Sequence, residues 1–221
     1  MQADPSRSHS ALLRIAVAAA VLALAVATGA QAAHPSTPPT PANRAGAAAT
    51  VAALPGNSVY QLAVALTDQD GREFRLADQR GKPMLISMFY SSCQFVCPML
   101  IDTLRDTEAK LGAGERDQLG VLMVSIDPAH DTVAVLKKKA NERAIATPRW
   151  AMARTDAASV RKLAAVLGIQ YRALANGDFN HTTALILLDA DGRIVARSSQ
   201  LGNADPAFVS KVRQTLQGAS H

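Results

Sequence analysis

An α/β layer fold with a mixed central sheet is the architecture this sequence predicts, and three observations lead to it. Residues 83–90 and 119–126 are almost continuously apolar runs of strand length, the pattern of interior strands covered on both faces. Segments with helical spacing of apolar residues alternate with them, as a layered α/β domain requires. Two Asp-x-Asp-Gly turns, at 68–71 and 189–192, each separate short strand-like runs and mark hairpins near both ends of the domain.

Taken in order, residues 58–66 and 72–76 flank Asp68-Gln69-Asp70-Gly71 and are expected to form an N-terminal β-hairpin, with Gly71 where positive φ is needed. Residues 83–90 follow as a central strand. Pro98 then suits the first turn of a helix running to about Leu111. Residues 119–126 are the next strand and end at Asp127-Pro128. A helix is expected over 132–143, with Asp131 available as its N-cap. Residues 150–153 read as a short strand and 157–167 as a helix stopped by Gly168. Residues 183–188 and 193–197 make the second hairpin, preceded by a loop that carries His181, and 206–216 is the closing helix.

The chain divides into three stretches. Arg7 and Arg14, the apolar run 15–26 and the A-x-A site Ala30-Gln31-Ala32 have the form of a secretory signal peptide over residues 1–32. Left uncleaved, the same segment would be a membrane anchor. Residues 33–57 are rich in Ala, Pro and Thr, including Pro35, Pro38, Pro39 and Pro41, and are expected to be a disordered linker. Residues 58–221 are long enough for one domain with its own core. The expected location is therefore outside the cytoplasm, in a periplasm, either soluble or tethered to the inner membrane by the N-terminal segment. The net charge is +5, but the basic residues are scattered, and the one basic run, Lys137-Lys138-Lys139, reads as a solvated helix face. Nucleic-acid binding is unsupported.

Cys93 and Cys97 are the only cysteines of the sequence, set as C-x-x-x-C-P directly after an apolar strand. A structural disulfide in an exported protein normally joins distant segments, and a bridge across three residues would restrain the unfolded chain little. Residues at i and i+4 of a helical turn have Cβ atoms roughly 5–6 Å apart, whereas a relaxed disulfide wants about 3.5–4.5 Å. One metal ion bridging two thiolates suits the wider gap better; a disulfide is disfavoured, though unwinding at Pro98 would permit it. Imidazole is a common third ligand for such a soft pair. His9 and His34 lie ahead of the domain, and His221 is the last residue. His130 sits in the turn before a helix, where an exposed polar residue is the ordinary expectation. His181, in Asn180-His181-Thr182 just ahead of a hydrophobic strand, is the better placed candidate.

At this point the motifs resemble those of the SCO/SenC family of copper-binding proteins. Cys93-Gln94-Phe95-Val96-Cys97-Pro98 is similar to the family's cysteine motif, and Ser125-Ile126-Asp127-Pro128-Ala129-His130-Asp131-Thr132 to its Ser-Val-Asp-Pro-x-x-Asp-Thr segment. Asn180-His181-Thr182 falls where the family carries its copper histidine, and Asp70-Gly71, Gly81-Lys82-Pro83 and Asp189-Ala190-Asp191-Gly192 fit in the same order. The resemblance implies a thioredoxin-like fold with copper, as Cu(I) or Cu(II), held by Cys93, Cys97 and His181, and with Asp127 near the site. It implies a metallochaperone that delivers copper to a partner such as a cytochrome c oxidase subunit, or serves copper homeostasis, together with other copper chaperones or thiol reductants. Departures are Asn180 where the family often has Asp, and Gln-Phe-Val between the cysteines where it often has Pro-Asp-Val.

The alternative is a thiol–disulfide oxidoreductase that keeps partner cysteines reduced for metallation. Against a general thioredoxin stand the C-x-x-x-C spacing and the lack of a proline in Asn180-His181-Thr182, where thioredoxins place a cis-proline. A peroxidase lacks its Thr before Cys93, and a closed zinc site wants a fourth ligand.

Overall fold

The computed structural model describes residues 53–145 and 148–219. The leader expected at 1–32 and the linker up to residue 52 lie outside them. The last residues of the expected linker belong with the domain, because Leu54 packs on the core and the Pro55 carbonyl accepts from the Ser58 amide.

Three parallel strands form the middle of the sheet: β3 (Met84–Phe89), β4 (Gly120–Ser125) and β5 (Trp150–Arg154). Antiparallel strands extend it on both sides, β1 (Ala65–Asp68) and β2 (Glu73–Arg75) beyond β5, and β8 (Leu185–Leu188) and β9 (Ile194–Ser198) beyond β3. The order is β2-β1-β5-β4-β3-β8-β9, the mixed sheet expected from the sequence and the thioredoxin-like layout that the family resemblance implies. Every residue of β3, β4 and β8 is buried, so helices must cover both faces. Those covers are α1 (Val96–Ala109), α3 (Val133–Glu142), α4 (Ala157–Val166) and α5 (Pro206–Ala219), each with one apolar stripe turned inward. For α1 that stripe is Cys97, Leu100, Ile101 and Leu104.

Polar groups carried into this core have partners. Ser87 donates to the Ala184 carbonyl at 2.7 Å, and the Glu108 carboxylate receives Trp150 Nε1 at 2.8 Å as well as Arg149. Unpaired, each such group would oppose folding by its lost hydration.

Three local expectations are corrected. Residues 58–64 are not strand: Ser58 Oγ accepts from the Tyr60 amide at 3.1 Å and caps a 3₁₀ turn, Val59–Gln61. A side-chain oxygen competing for backbone N–H groups favours such a turn over ladder pairing. A short helix, α2 (Ala113–Asp117), precedes β4. The expected loop ahead of residue 183 contains a separate two-stranded hairpin, β6 (Tyr171–Ala173) paired antiparallel with β7 (Phe179–His181).

Gly192 closes the second hairpin with φ +80°, and a Cβ there would stand 2.6 Å from Tyr60 Cδ2. Gly177 turns β6 into β7 with φ +86° but has open space around it. Replacing either by alanine forces a side chain into the left-handed region, costing about 1–2 kcal/mol. Gly192→Ala adds a collision with a buried ring and is expected to cost about 2–5 kcal/mol. Urea unfolding of the two variants should therefore give a clearly larger loss at Gly192; equal losses would contradict the close approach of Tyr60.

Candidate metal centre

β3 and β4 run parallel to their last pair, Phe89 with Ser125, and leave the sheet at the same edge. The loop after β3 carries Tyr90, Ser91 and Cys93 into α1, and the loop after β4 carries Asp127, His130 and Asp131 into α3. Asp131 joins the two. Its carboxylate accepts from the Ser91 amide at 3.1 Å and from the hydroxyls of Ser91 and Ser125. Its own carbonyl is held by Arg154 Nε at 2.9 Å, and Arg154 Nη2 reaches the Pro128 carbonyl at 2.8 Å. Asp131 is therefore not the N-cap expected of it. Thr132 caps α3, its hydroxyl accepting from the Val135 amide, and this leaves the Asp131 carboxylate turned inward and buried.

Both cysteines are free thiols. They are not successive residues of one helical face, as the spacing suggested: Cys93 lies before the N-cap, Phe95, and Cys97 lies in the first turn. They still meet, because the Cys97 amide donates to Cys93 Sγ at 3.2 Å. Cys93 is half-buried; burial alone would raise its thiol, but hydrogen bonds from Cys97 and from the Phe95 and Val96 amides outweigh it and hold the thiol below the ordinary range. A helix N-terminus stabilises a thiolate in this way. Cys97 is 4% exposed, and burial pushes its thiol far upward, with the Cys93 and Asp131 charges pushing the same way. A cleft of about 10 Å³ lies between Tyr90, Cys93, Cys97, Lys139 and Arg143. That is room for about one water-sized particle.

His181 ends β7, half-buried. Its ring meets Tyr90 edge-on at 5.7 Å between centroids, and Phe179 packs on the same Tyr90 ring at 5.2 Å. The Tyr90 hydroxyl lies beside Cys93 and the Phe179 backbone, so Tyr90 touches both halves of the site. His181 Nδ1 is 3.1 Å from the Thr182 carbonyl and must donate to it, which leaves the Nε2 lone pair available. Burial lowers the imidazole, keeping it neutral at pH 7. Among the described residues, no three His, Cys, Asp or Glu side chains converge closely enough to hold one ion. The cysteines are together; His181 stands against the ring of Tyr90, whose hydroxyl lies beside Cys93.

The other candidates fall out differently. Asp127 is buried and its carboxylate holds His130 Nδ1 at 2.8 and 2.9 Å, while the His130 ring itself is exposed, as expected. The acid bound to the cysteine loop is Asp131, which sequence reasoning assigned elsewhere. Tyr90 was also missed, although a tyrosine ending a buried strand needs a partner for its hydroxyl.

Residues 54–217 match the family model described as SCO1/SenC. The chain is similar to the SCO1 protein homolog of Bacillus subtilis (strain 168), with 28% identity over 83 residues, 38% of this chain and 42% of that protein. It is similar to the mitochondrial protein SCO2 of Saccharomyces cerevisiae, with 33% identity over 73 residues, 33% of this chain and 24% of that one. The matched stretches thus span less than half of either relative. Among solved structures it is similar to Bradyrhizobium japonicum ScoI with copper bound, with 25% identity and a TM-score of 0.59, covering 69% of this chain and 96% of that chain.

The opposite shifts of the two thiols give a direct expectation. In the folded chain, iodoacetamide should modify Cys93 at a pH below that needed for an ordinary thiol, while Cys97 stays unmodified until the protein is unfolded. Peptide mass spectrometry across a pH series reads both; equal labelling of the two cysteines would contradict the arrangement.

Proposed function

The chain belongs to the SCO1/SenC family, and from that premise we propose that it is an exported copper metallochaperone whose cargo is held by Cys93, Cys97 and His181. The observation that carries this reading is the unbridged pair of sulfurs in one cleft, with an imidazole edge-on against the adjoining Tyr90 ring. Two thiolates and an imidazole form a soft donor set that suits copper(I). The copper bound to the Bradyrhizobium relative supports the same cargo.

Each residue has its own task in this reading. Cys93, whose thiol gives up its proton more readily than an ordinary one, is the accessible sulfur that meets incoming copper. Cys97 loses its proton as it binds. Thr182 holds the His181 tautomer with Nε2 free. Because Tyr90 stands against His181, completing the ligand set requires the β6–β7 hairpin to shift or the Tyr90 ring to turn. Asp127 would sit beside the site through His130. The recipient would be a copper-requiring protein, a cytochrome c oxidase subunit being the assignment the family supports. Export rests on the leader read from residues 1–32.

Titration of the reduced chain with copper(I) against a chromogenic chelator should give one copper per chain. Cys93→Ser or Cys97→Ser should abolish tight binding, and His181→Ala should weaken it about tenfold or more. Affinity unchanged in His181→Ala would remove the histidine from the ligand set. Turnover of a disulfide substrate that is indifferent to His181 would favour the oxidoreductase instead.

The pH dependence follows from the shifts. Cys97 is raised, so at neutral pH it is protonated when free and must release its proton on binding. His181 is lowered, which leaves less imidazolium to deprotonate, and any proton still on Cys93 is released with the same sign as that of Cys97. Apparent affinity should therefore rise with pH, by about tenfold per unit for one proton released, between roughly pH 6 and 8. A flat profile over that window would mean that Cys97 does not bind copper as a thiolate.

A further inference from the structure

Five large apolar side chains are exposed among the described residues, and three of them, Phe95, Val96 and Met99, surround the cysteines at the start of α1. Phe95 is the extreme case at 80% exposure. It also occupies the N-cap of α1, with no side-chain hydrogen bond to the helix. That position ordinarily favours Ser, Thr, Asp or Asn, whose oxygen satisfies a free N–H group. Here a large apolar ring stands in water at a position where a small polar residue would stabilise the helix. Neither burial nor capping accounts for it.

The cysteine cleft itself has a basic side. Lys139 and Arg143 lie one turn apart and both line it. Lys139 shares Glu142 with Lys138, at 3.3 and 3.9 Å. The Arg143 side chain is half-buried and has no ion pair among the described residues. Arg105 continues the positive strip beside Ala144, and its own pairing with Asp102 is long, at 3.9 Å. The buried acids nearby are already supplied with donors, Asp131 by Ser91 and Ser125 and Glu108, beside Arg105, by Arg149 and Trp150.

We propose that this rim is a docking surface for an acidic protein segment that presents an apolar residue beside its own copper-binding thiols. Phe95, Val96 and Met99 take the apolar residue, and Arg143 with Lys139 takes a carboxylate, so that the acceptor's sulfurs arrive over Cys93. The proposal deepens the metallochaperone reading and rests on it. No electron moves in the exchange: copper(I) keeps its oxidation state, each acceptor thiol gives up its proton as its bond to copper forms, and the vacated cysteine sulfurs take up protons from solvent.

Two synthetic peptides test it, each with the same two cysteines and one leucine, flanked in one by glutamates and in the other by lysines. Copper(I) transfer from the loaded full chain is followed by stopped flow at low and high salt. The glutamate peptide should take copper about tenfold faster at low salt, with the advantage shrinking as salt rises. Arg143→Glu should cancel that preference. Phe95→Ser should slow transfer to both peptides several-fold, while either variant still binds one copper. Equal rates for the two peptides, or rates untouched by both variants, would overturn the docking surface and leave copper binding standing. If the chain bound no copper, the parent reading would fail. Equilibrium binding of the copper-free peptides would then decide the docking question by the same ranking. Attachment to vesicles of anionic phospholipid that Arg143→Glu abolishes, with no preference between peptides, would assign the surface to membranes and overturn the proposal.

Discussion

The saturated carboxylate of Asp131 is the constraint on which the candidate site depends. A charge buried to 1% exposure opposes folding unless its oxygens are fully supplied with donors. Here the donors are the Ser91 amide, the Ser91 hydroxyl and the Ser125 hydroxyl, drawn from the ends of two neighbouring parallel strands. Satisfying the carboxylate therefore fixes where Ser91 stands, two residues before Cys93. Arg154, reaching in from the end of β5, fixes the loop after β4 by the carbonyls of Pro128 and Asp131. Three parallel strands thus contribute to one rack at their C-terminal ends, where open α/β sheets generally place their sites.

Onto that rack the first turn of α1 adds its own demand. Helix starts leave N–H groups without partners, and Phe95 supplies no side-chain oxygen to meet them. The Cys93 sulfur takes that role, accepting from the Cys97 amide. One atom thereby serves as helix cap and as reactive thiol, and the hydrogen bonds that cap the helix are the same ones that favour the thiolate. Cys97, four residues later, is turned into the core and loses hydration instead. The asymmetry between the two sulfurs is mainly a consequence of backbone geometry at one helix end and of burial, with the Asp131 charge adding to it at Cys97.

The sheet was legible because its strands are buried on both faces and so read as unbroken apolar runs; β3, β4 and β8 all stand where those runs lie. The cysteine pair was legible for a different reason, since two thiols with three residues between them have few structural uses. Position 58 was misjudged because a serine can satisfy backbone amides by itself, and no hydrophobic period records that choice. Asp131 was misjudged because capping preference describes the acid and its own helix, whereas its actual partners come from positions 40 and 6 residues away in sequence. The β6–β7 hairpin had a usable sign in Asn176-Gly177, a turn dipeptide, but only three residues lie on each side and their polar pattern hid them. Lys139 followed the pattern of a solvated helix face, and its position with Arg143 over the cysteines depends on how α3 packs on β5 and β1.

The placement of His181 follows from that small hairpin. A two-stranded hairpin is marginal by itself in water, and β6–β7 is not paired to the main sheet. What seats it is aromatic packing: Tyr171 on Phe179 at 6.4 Å, Phe179 on Tyr90, and His181 against the edge of Tyr90. Tyr90 is the only member of that cluster on the rigid side, held at the end of β3 and nearly buried. The two sulfurs are therefore located by the sheet and by Asp131, while the imidazole is located by a few ring contacts. Such contacts contribute about 0.5–1.5 kcal/mol each beyond their buried area, far less than the core behind the cysteines. Any rearrangement that changes the separation between sulfur and imidazole will accordingly occur on the hairpin side, with Tyr90 as the surface across which it moves.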